Sequence, residues 1–395
     1  MRALLLSTIL LAAPAFADQP DPSDWEAVLA EAEGQTVYWN AWGGSTTTND
    51  FIAWIGQQVA AHGVTLEHVK LSDTADAVAR VLSEKAAGVD EGGAVDLIWI
   101  NGANFASMKE ADLLFGPFAE SLPNWRFVDV EGKTVTTDFT VPTDGFESPW
   151  AMAQVVMMYD GATVEDVPGT AEALLDWARA NPGRFTFPQP PDFLGTTVLK
   201  QLLIELVEDP AVLQSAAGDD YDAVTAPLWV YLDELTPLLW RAGEAYPQTG
   251  PRQLQLMNDG EIDIAFSFSP GEATAAIANF ELPDTVRTAV LDGGTLGNAS
   301  FVAIPYNAAH AAGAMVVANA LLSPEAQARA QDPDVLGYGT VLAMDKLSDE
   351  DRARFEALDL GVATLSPEEL GPALPEPHPS WAERLAAEWV ERYGT

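Results

Sequence analysis

Four times along this chain a short apolar run ends in a polar or aromatic loop and passes straight into a helix-patterned stretch. That repeated grammar restricts the fold more than any other feature. The first instance is Val37-Tyr38-Trp39-Asn40-Ala41-Trp42-Gly43-Gly44-Ser45-Thr46, where a strand opens into a loop of glycines, hydroxyls and indoles before an apolar-periodic helix near Asn49. The second is a strand over 95–100 leaving through Asn101-Gly102-Ala103-Asn104, and the third a strand over 183–187 leaving through 188–195 to Thr196-Thr197. The fourth is a strand over 261–266 that exits through Ser267-Phe268-Ser269-Pro270-Gly271 into a helix over 272–280. Strands alternating with helices predict an α/β fold. In open α/β sheets, ligands bind beyond the carboxyl ends of the strands, where helix N-termini present free N–H groups.

The chain start reads as an address rather than as fold. Met1-Arg2 is positive, Ala3 to Ala13 is apolar, and Ala15-Phe16-Ala17 is a small-x-small site before Asp18. These are the parts of a secretory signal peptide over 1–17, cleaved after Ala17. No later segment is long and apolar enough to span a bilayer, and with no cysteine there is neither a lipid anchor nor a disulfide. A periplasmic protein with a conventional core is expected. The formal net charge of −40 excludes nucleic acid and anionic membrane as partners. The same charge reads either as attraction for a cationic ligand or as a heavily solvated surface.

The length predicts two domains. A first lobe over 18–150 is expected to cross at Pro149-Trp150 into the apolar run 153–159, and a second lobe over 151–302 to return through 297–305. Residues 303–395 are expected to complete the first lobe, with C-terminal helices packing across both. Ser380 and Glu383 have capping-box spacing, and Trp381, Leu385, Trp389 and Tyr393 recur as one helix face.

These residues carry a resemblance. The export start, the Asp96-Leu97-Ile98-Trp99-Ile100-Asn101 strand, Gly260-Glu261-Ile262-Asp263, Phe301-Val302-Ala303-Ile304-Pro305 and Leu321-Leu322-Ser323-Pro324-Glu325-Ala326-Gln327 resemble the solute-binding proteins of ABC importers. Tyr38-Trp39-Asn40-Ala41-Trp42-Gly43-Gly44, Leu97 to Gly102 and Glu376-Pro377-His378 resemble more narrowly the YnjB-type members, akin to thiamine- and polyamine-binding proteins. The resemblance implies a two-lobed, type II-like periplasmic binding protein, with two crossing strands and a cleft that closes by a hinge. It further implies a monomer without cofactor that hands a small-molecule ligand to an inner-membrane ABC permease with its ATPase.

Loop position selects the candidate ligand contacts: Trp39, Asn40, Trp42 and Ser45 from the first loop, Asn101 from the second, and Trp150 at the crossing. Phe193 and Thr196 follow from the third loop, Ser267 and Ser269 from the fourth, and Asn298 and Ser300 from the return. Four of these have a structural alternative: Trp39 and Trp42 as core or lid packing, Asn101 as a turn residue, Thr196 as a helix cap. Indoles with hydroxyls and amides favour a small polar solute, cationic or flat, such as a thiamine-like compound or an amine. An oxyanion at the glycine and hydroxyl loops is the rival class. Counter-charges for a cation are not identified, and Glu147, Asp192, Asp263 and Glu272 are expected to be exposed. The four histidines and the scattered tyrosines show no metal spacing. No hydrolase, nucleotide-loop or dinucleotide motif is present, so no enzyme is expected. A carboxylate pair acting on a glycoside and a sensor partner remain the alternatives.

Overall fold

The computed structural model describes residues 20–394, so the export segment read at 1–17 lies outside the described residues. The chain opens with α1 (Trp25–Ala32), β1 (Thr36–Trp42), α2 (Thr46–Val59), β2 (Thr65–Leu71), α3 (Ala75–Ala86), β3 (Leu97–Ile100) and α4 (Ala103–Glu110). Two-residue strands β4 (Thr137–Asp138) and β5 (Val141–Pro142) precede β6 (Glu147–Gln154) and β7 (Val156–Asp160). The middle of the chain holds α5 (Ala171–Ala180), α6 (Phe193–Leu206), α7 (Tyr221–Leu235), α8 (Gly250–Asn258), β8 (Ile264–Ser267), α9 (Glu272–Ala278), β9 (Val286–Ala289) and β10 (Gly297–Ala303). It ends with α10 (Ala311–Leu321), α11 (Pro324–Gln331), α12 (Asp349–Glu356), α13 (Pro367–Leu370) and α14 (Pro379–Tyr393).

The apolar period of these segments builds two lobes. In the first, the sheet order is β2-β1-β3-β10-β6, with β1 parallel to β2 and β3, and β10 antiparallel to β3 and β6. Val37, Trp39 and Ala41 alternate along β1 and pack with Phe51, Ile52, Ile55 and Val59 of α2 and with the apolar α10. The second lobe is organised on the antiparallel sheet β8-β7-β9, extended by a single bridge between Phe185 and Ile264. The strand expected over 183–187 is therefore one residue pair, and Pro188 has no N–H with which to continue the ladder.

The lobes are joined where β6 passes through Val155 into β7 and where Leu296 leads into β10. β6 as far as Gln154 and β10 from Gly297 belong to the first sheet.

Phe355 lies in the first core, Ala363 packs with Met158 and Val286, and Trp381, Leu385 and Trp389 lie in the second core. The chain thus passes between the lobes a third time. The aromatic face of α14 explains this: Trp389 sits edge-on against Tyr246 with ring centroids 4.9 Å apart, and near Phe187 at 6.4 Å. The helix starts at Pro379 with His378 as its cap, where Nδ1 accepts from Ser380 N at 3.2 Å, so Ser380 is not the cap that the spacing predicts.

Candidate ligand-binding site

On the first lobe, the predicted loop residues lie at the ends of β1 and β3, and the turn between β4 and β5 reaches the second lobe, where Lys200 Nζ lies over the Phe139 ring. Trp42 is half-buried at the end of β1, and its ring covers Gly44, where a Cβ would sit 2.4 Å from the indole. Ser45 precedes α2 without capping it, its Oγ 2.8 Å from Thr47 Oγ1. Asn101 is half-buried at the exit of β3, and Gly102, at φ 60°, turns the chain into α4. The Gly102 N–H donates to Asp138 Oδ2 at 2.6 Å, and a Cβ on Gly102 would strike the Phe139 ring at 2.9 Å. The turn between β4 and β5 is thereby pinned to the start of α4.

Trp39 and Trp150 lie elsewhere. Both are buried in the first core, edge to face with centroids 6.2 Å apart, and Trp150 also packs on Phe51, Trp99 and Tyr338. Strand alternation puts the odd residues of β1 on the helix-covered face, which leaves Trp42 as the half-buried indole of that loop. Asn40 is buried, its Nδ2 donating to Tyr38 O at 3.3 Å, and Ser300 is buried within β10 opposite Ala151.

On the second lobe, Asp192 caps α6, with Oδ1 accepting from Leu194 N at 2.9 Å and Gly195 N at 3.1 Å. Thr196 is thus not the cap, and its buried hydroxyl has no hydrogen-bond partner. Gly195 permits the tight entry, since a Cβ there would lie 2.1 Å from Pro188 O. Phe193 is 46% exposed and stands edge-on to Phe268 with centroids 5.3 Å apart. Ser267 Oγ donates to Glu272 and accepts from Ser269 N at 2.9 Å. Ser269 Oγ donates across to Leu336 O of the first lobe at 2.8 Å.

Between these walls runs a buried polar seam. Lys200 Nζ donates to Glu376 Oε2 at 2.5 Å, and Glu376 Oε1 accepts from Asn298 Nδ2 at 3.0 Å. The same ammonium lies 4.8 Å from the Phe139 ring centroid of the first lobe and 5.7 Å from that of Phe193. Asp138 and Glu147 are fully buried on the first-lobe side. Asp138 Oδ1, both Glu147 oxygens, Thr140 Oγ1, Thr196 Oγ1 and Asn298 Oδ1 have no hydrogen-bond partner within the chain. Burial pushes the Asp138 carboxyl well above the usual range, opposed by the Gly102 N–H, with Glu376 raising it and Lys200 lowering it. Burial likewise raises Glu147 well above that range, and the nearby charge of Asp138 adds to the shift.

Sequence position brings Phe193, Thr196 and Asn298 to this seam, Asn101 next to the Gly102 that holds Asp138, and Ser267 and Ser269 to a second contact between the lobes, while Trp42 at the end of β1 and Ser45 in the loop after it are half-buried with contacts local to that loop. It misses Asp138, Phe139, Lys200 and the role of Glu376. A lysine inside the apolar run 198–203 was the legible sign of a buried charge. The expectation of exposed carboxylates also fails. Glu147 is fully buried, Asp263 is buried against Arg184 at 2.5 Å, and Asp192 and Glu272 are half-buried as cap and as acceptor from Ser267.

Comparison with known proteins agrees with this architecture. Residues 53–350 match the family described as bacterial extracellular solute-binding protein. Protein YnjB of Escherichia coli K12 is 46% identical over 375 residues, covering 94% of this chain and 95% of that protein. The spermidine/putrescine ABC transporter substrate-binding protein PotD of Streptococcus pneumoniae superposes with a TM-score of 0.56 at 15% identity, over 84% of this chain and 94% of that one. The periplasmic binding protein AfuA of Actinobacillus pleuropneumoniae, with fructose-6-phosphate bound, gives 0.63 at 13% identity, over 91% of this chain and 98% of that one. Both structures share the two-lobed periplasmic binding protein fold, and their different cargoes leave the solute to be argued from the seam.

Proposed function

The chain belongs to the bacterial extracellular solute-binding proteins, and on that premise we propose that it captures a small organic cation, amine- or thiamine-like, for an ABC importer. One observation carries this reading. Among the seam's unpartnered polar atoms, the Asp138, Glu147 and Asn298 oxygens are acceptors, and Lys200 is already committed to Glu376. Buried acceptors call for donors. A solute bearing N–H groups and positive charge supplies them, and the rings of Phe139, Phe193 and Phe268 with the half-buried Trp42 offer faces for a cation or a flat ring.

A metal ion fits this set less well. Among the described residues no group of three histidine or carboxylate side chains converges as a metal site. An oxyanion at α6 fits less well too, because the Asp192 carboxylate already accepts from the first free N–H groups of that helix, and the start of α2, which Ser45 does not cap, is the anion position left for the test.

The mechanism follows from the two lobes. The solute meets the rim of one lobe, and closure brings the Phe139 ring against Lys200 beside Phe193. Closure is favoured because only the closed form makes both sets of contacts. The closed complex then docks on a membrane permease driven by a separate ATPase, in the periplasm, after removal of residues 1–17. We assign the chain no reaction of its own.

A thermal-shift panel on mature protein, unfolded and refolded to strip carried ligand, tests the reading with thiamine, choline, spermidine, phosphate, sugar phosphates and neutral sugars. Ligand at a hundred times its dissociation constant adds about 2.7 kcal/mol, a shift of several degrees. Stabilisation by cations supports the reading. Stabilisation by anions alone overturns the solute class and leaves the transport role.

A further inference from the structure

Asp138 and Glu147 leave a charge problem that the seam does not solve. Of their four carboxyl oxygens, Asp138 Oδ2 accepts one hydrogen bond, from Gly102 N, and the other three have none. The charged groups that face them are all committed elsewhere. Lys109 of α4 is held by Asp144 at 2.6 Å and by Pro142 O, Lys200 of α6 is held by Glu376, and Glu376 adds negative charge. Two fully buried carboxylates with one donor and no cation of their own cannot both be ionised.

We infer that Asp138 and Glu147 hold one proton between them in the unliganded protein and exchange it for a nitrogen cation entering from the seam. This rests on the proposed cationic solute. The charge balance favours the exchange: the pair carries one negative charge with its proton, and two negative charges plus the ligand's positive charge without it, so the buried net charge stays the same. The proton leaves to bulk water. The positive shift of both carboxyls caused by burial agrees with this. Affinity for such a cation then rises with pH, by up to about tenfold per unit, until the free pair is ionised.

The test begins without any ligand. Infrared spectra of the stripped protein at neutral pH are expected to show a protonated-carboxyl band that is absent from Glu147→Gln and reduced or shifted in Asp138→Asn, which keeps an acceptor for Gly102 N. Circular dichroism establishes that both variants are folded. Saturation with the cation that stabilises the protein, among thiamine, choline and spermidine, is expected to abolish the band and to release close to one proton, read as buffer-dependent heat in calorimetry. A spectrum without the band overturns the inference whatever binds. A band that persists when a cation is bound overturns the exchange and leaves the solute class intact. A band with no stabilising cation overturns the solute class, and the exchange falls with it.

Discussion

Lys200 and Glu376 form an ion pair at 2.5 Å with both side chains at most 2% exposed, and through Asn298 it joins α6, the C-terminal segment and β10. This pair fixes the C-terminal strap over the second lobe at the point where the first lobe arrives.

Removing one partner leaves a buried charge uncompensated. Glu376→Gln is expected to cost about 3–5 kcal/mol, whereas the apolar pair Lys200→Met with Glu376→Leu costs less. Urea unfolding of the singles and the double gives the cycle. A double variant that loses the sum of the singles sinks the claim that the two act as a unit.

Phe193 and Trp39 separate ligand contact from core packing. Phe193→Ala removes a ring that is 46% exposed, so the melting temperature is expected to hold while affinity for the best cation in the panel falls about 5- to 30-fold. Trp39→Ala opens a cavity in the first core and is expected to cost about 3–5 kcal/mol. Melting curves beside binding isotherms decide this. A Trp39 variant of normal stability and lost affinity would return the indole to the cleft.

The two lobes, the crossing strands and the loop grammar are legible because they are periodic. Val37, Trp39 and Ala41 against Phe51 and Ile55 announce a strand under a helix whatever the tertiary detail. The seam is not periodic. Asp138 sits in a two-residue strand, Lys200 in an apolar helix and Glu376 in a loop before α14, and only the third crossing brings them together. The same limit explains Trp150, which lies in the strand leading to the crossing and turns into the core, because strand parity and not loop composition sets its direction.

The buried carboxyls set a pH dependence of stability in the unliganded protein. Their folded pKa values lie above those of the unfolded chain, so the folded state binds more protons and its stability falls as pH rises from the ordinary carboxylate range through the raised values. Glu147→Gln has no such proton to lose. Its melting temperature relative to wild type is expected to climb steadily between about pH 4.5 and neutrality. A difference that stays constant across that range contradicts the assignment.

Closure itself can be blocked at one glycine. Gly271, at the start of α9, has an ordinary φ of −92°, yet a Cβ there would lie 2.4 Å from Gly337 Cα on the first lobe. Gly337 has φ 65° and would be strained by any side chain, so it is the poorer site to change. Gly271→Val therefore adds bulk between the lobes at little local backbone cost. Small-angle scattering is expected to show a larger radius of gyration than wild type with saturating cation. Binding is expected to weaken at least tenfold while the folded far-ultraviolet spectrum is kept. A variant that binds and contracts like wild type would mean that the Gly271 and Gly337 backbones need not meet for capture, and that the lobes close about another line.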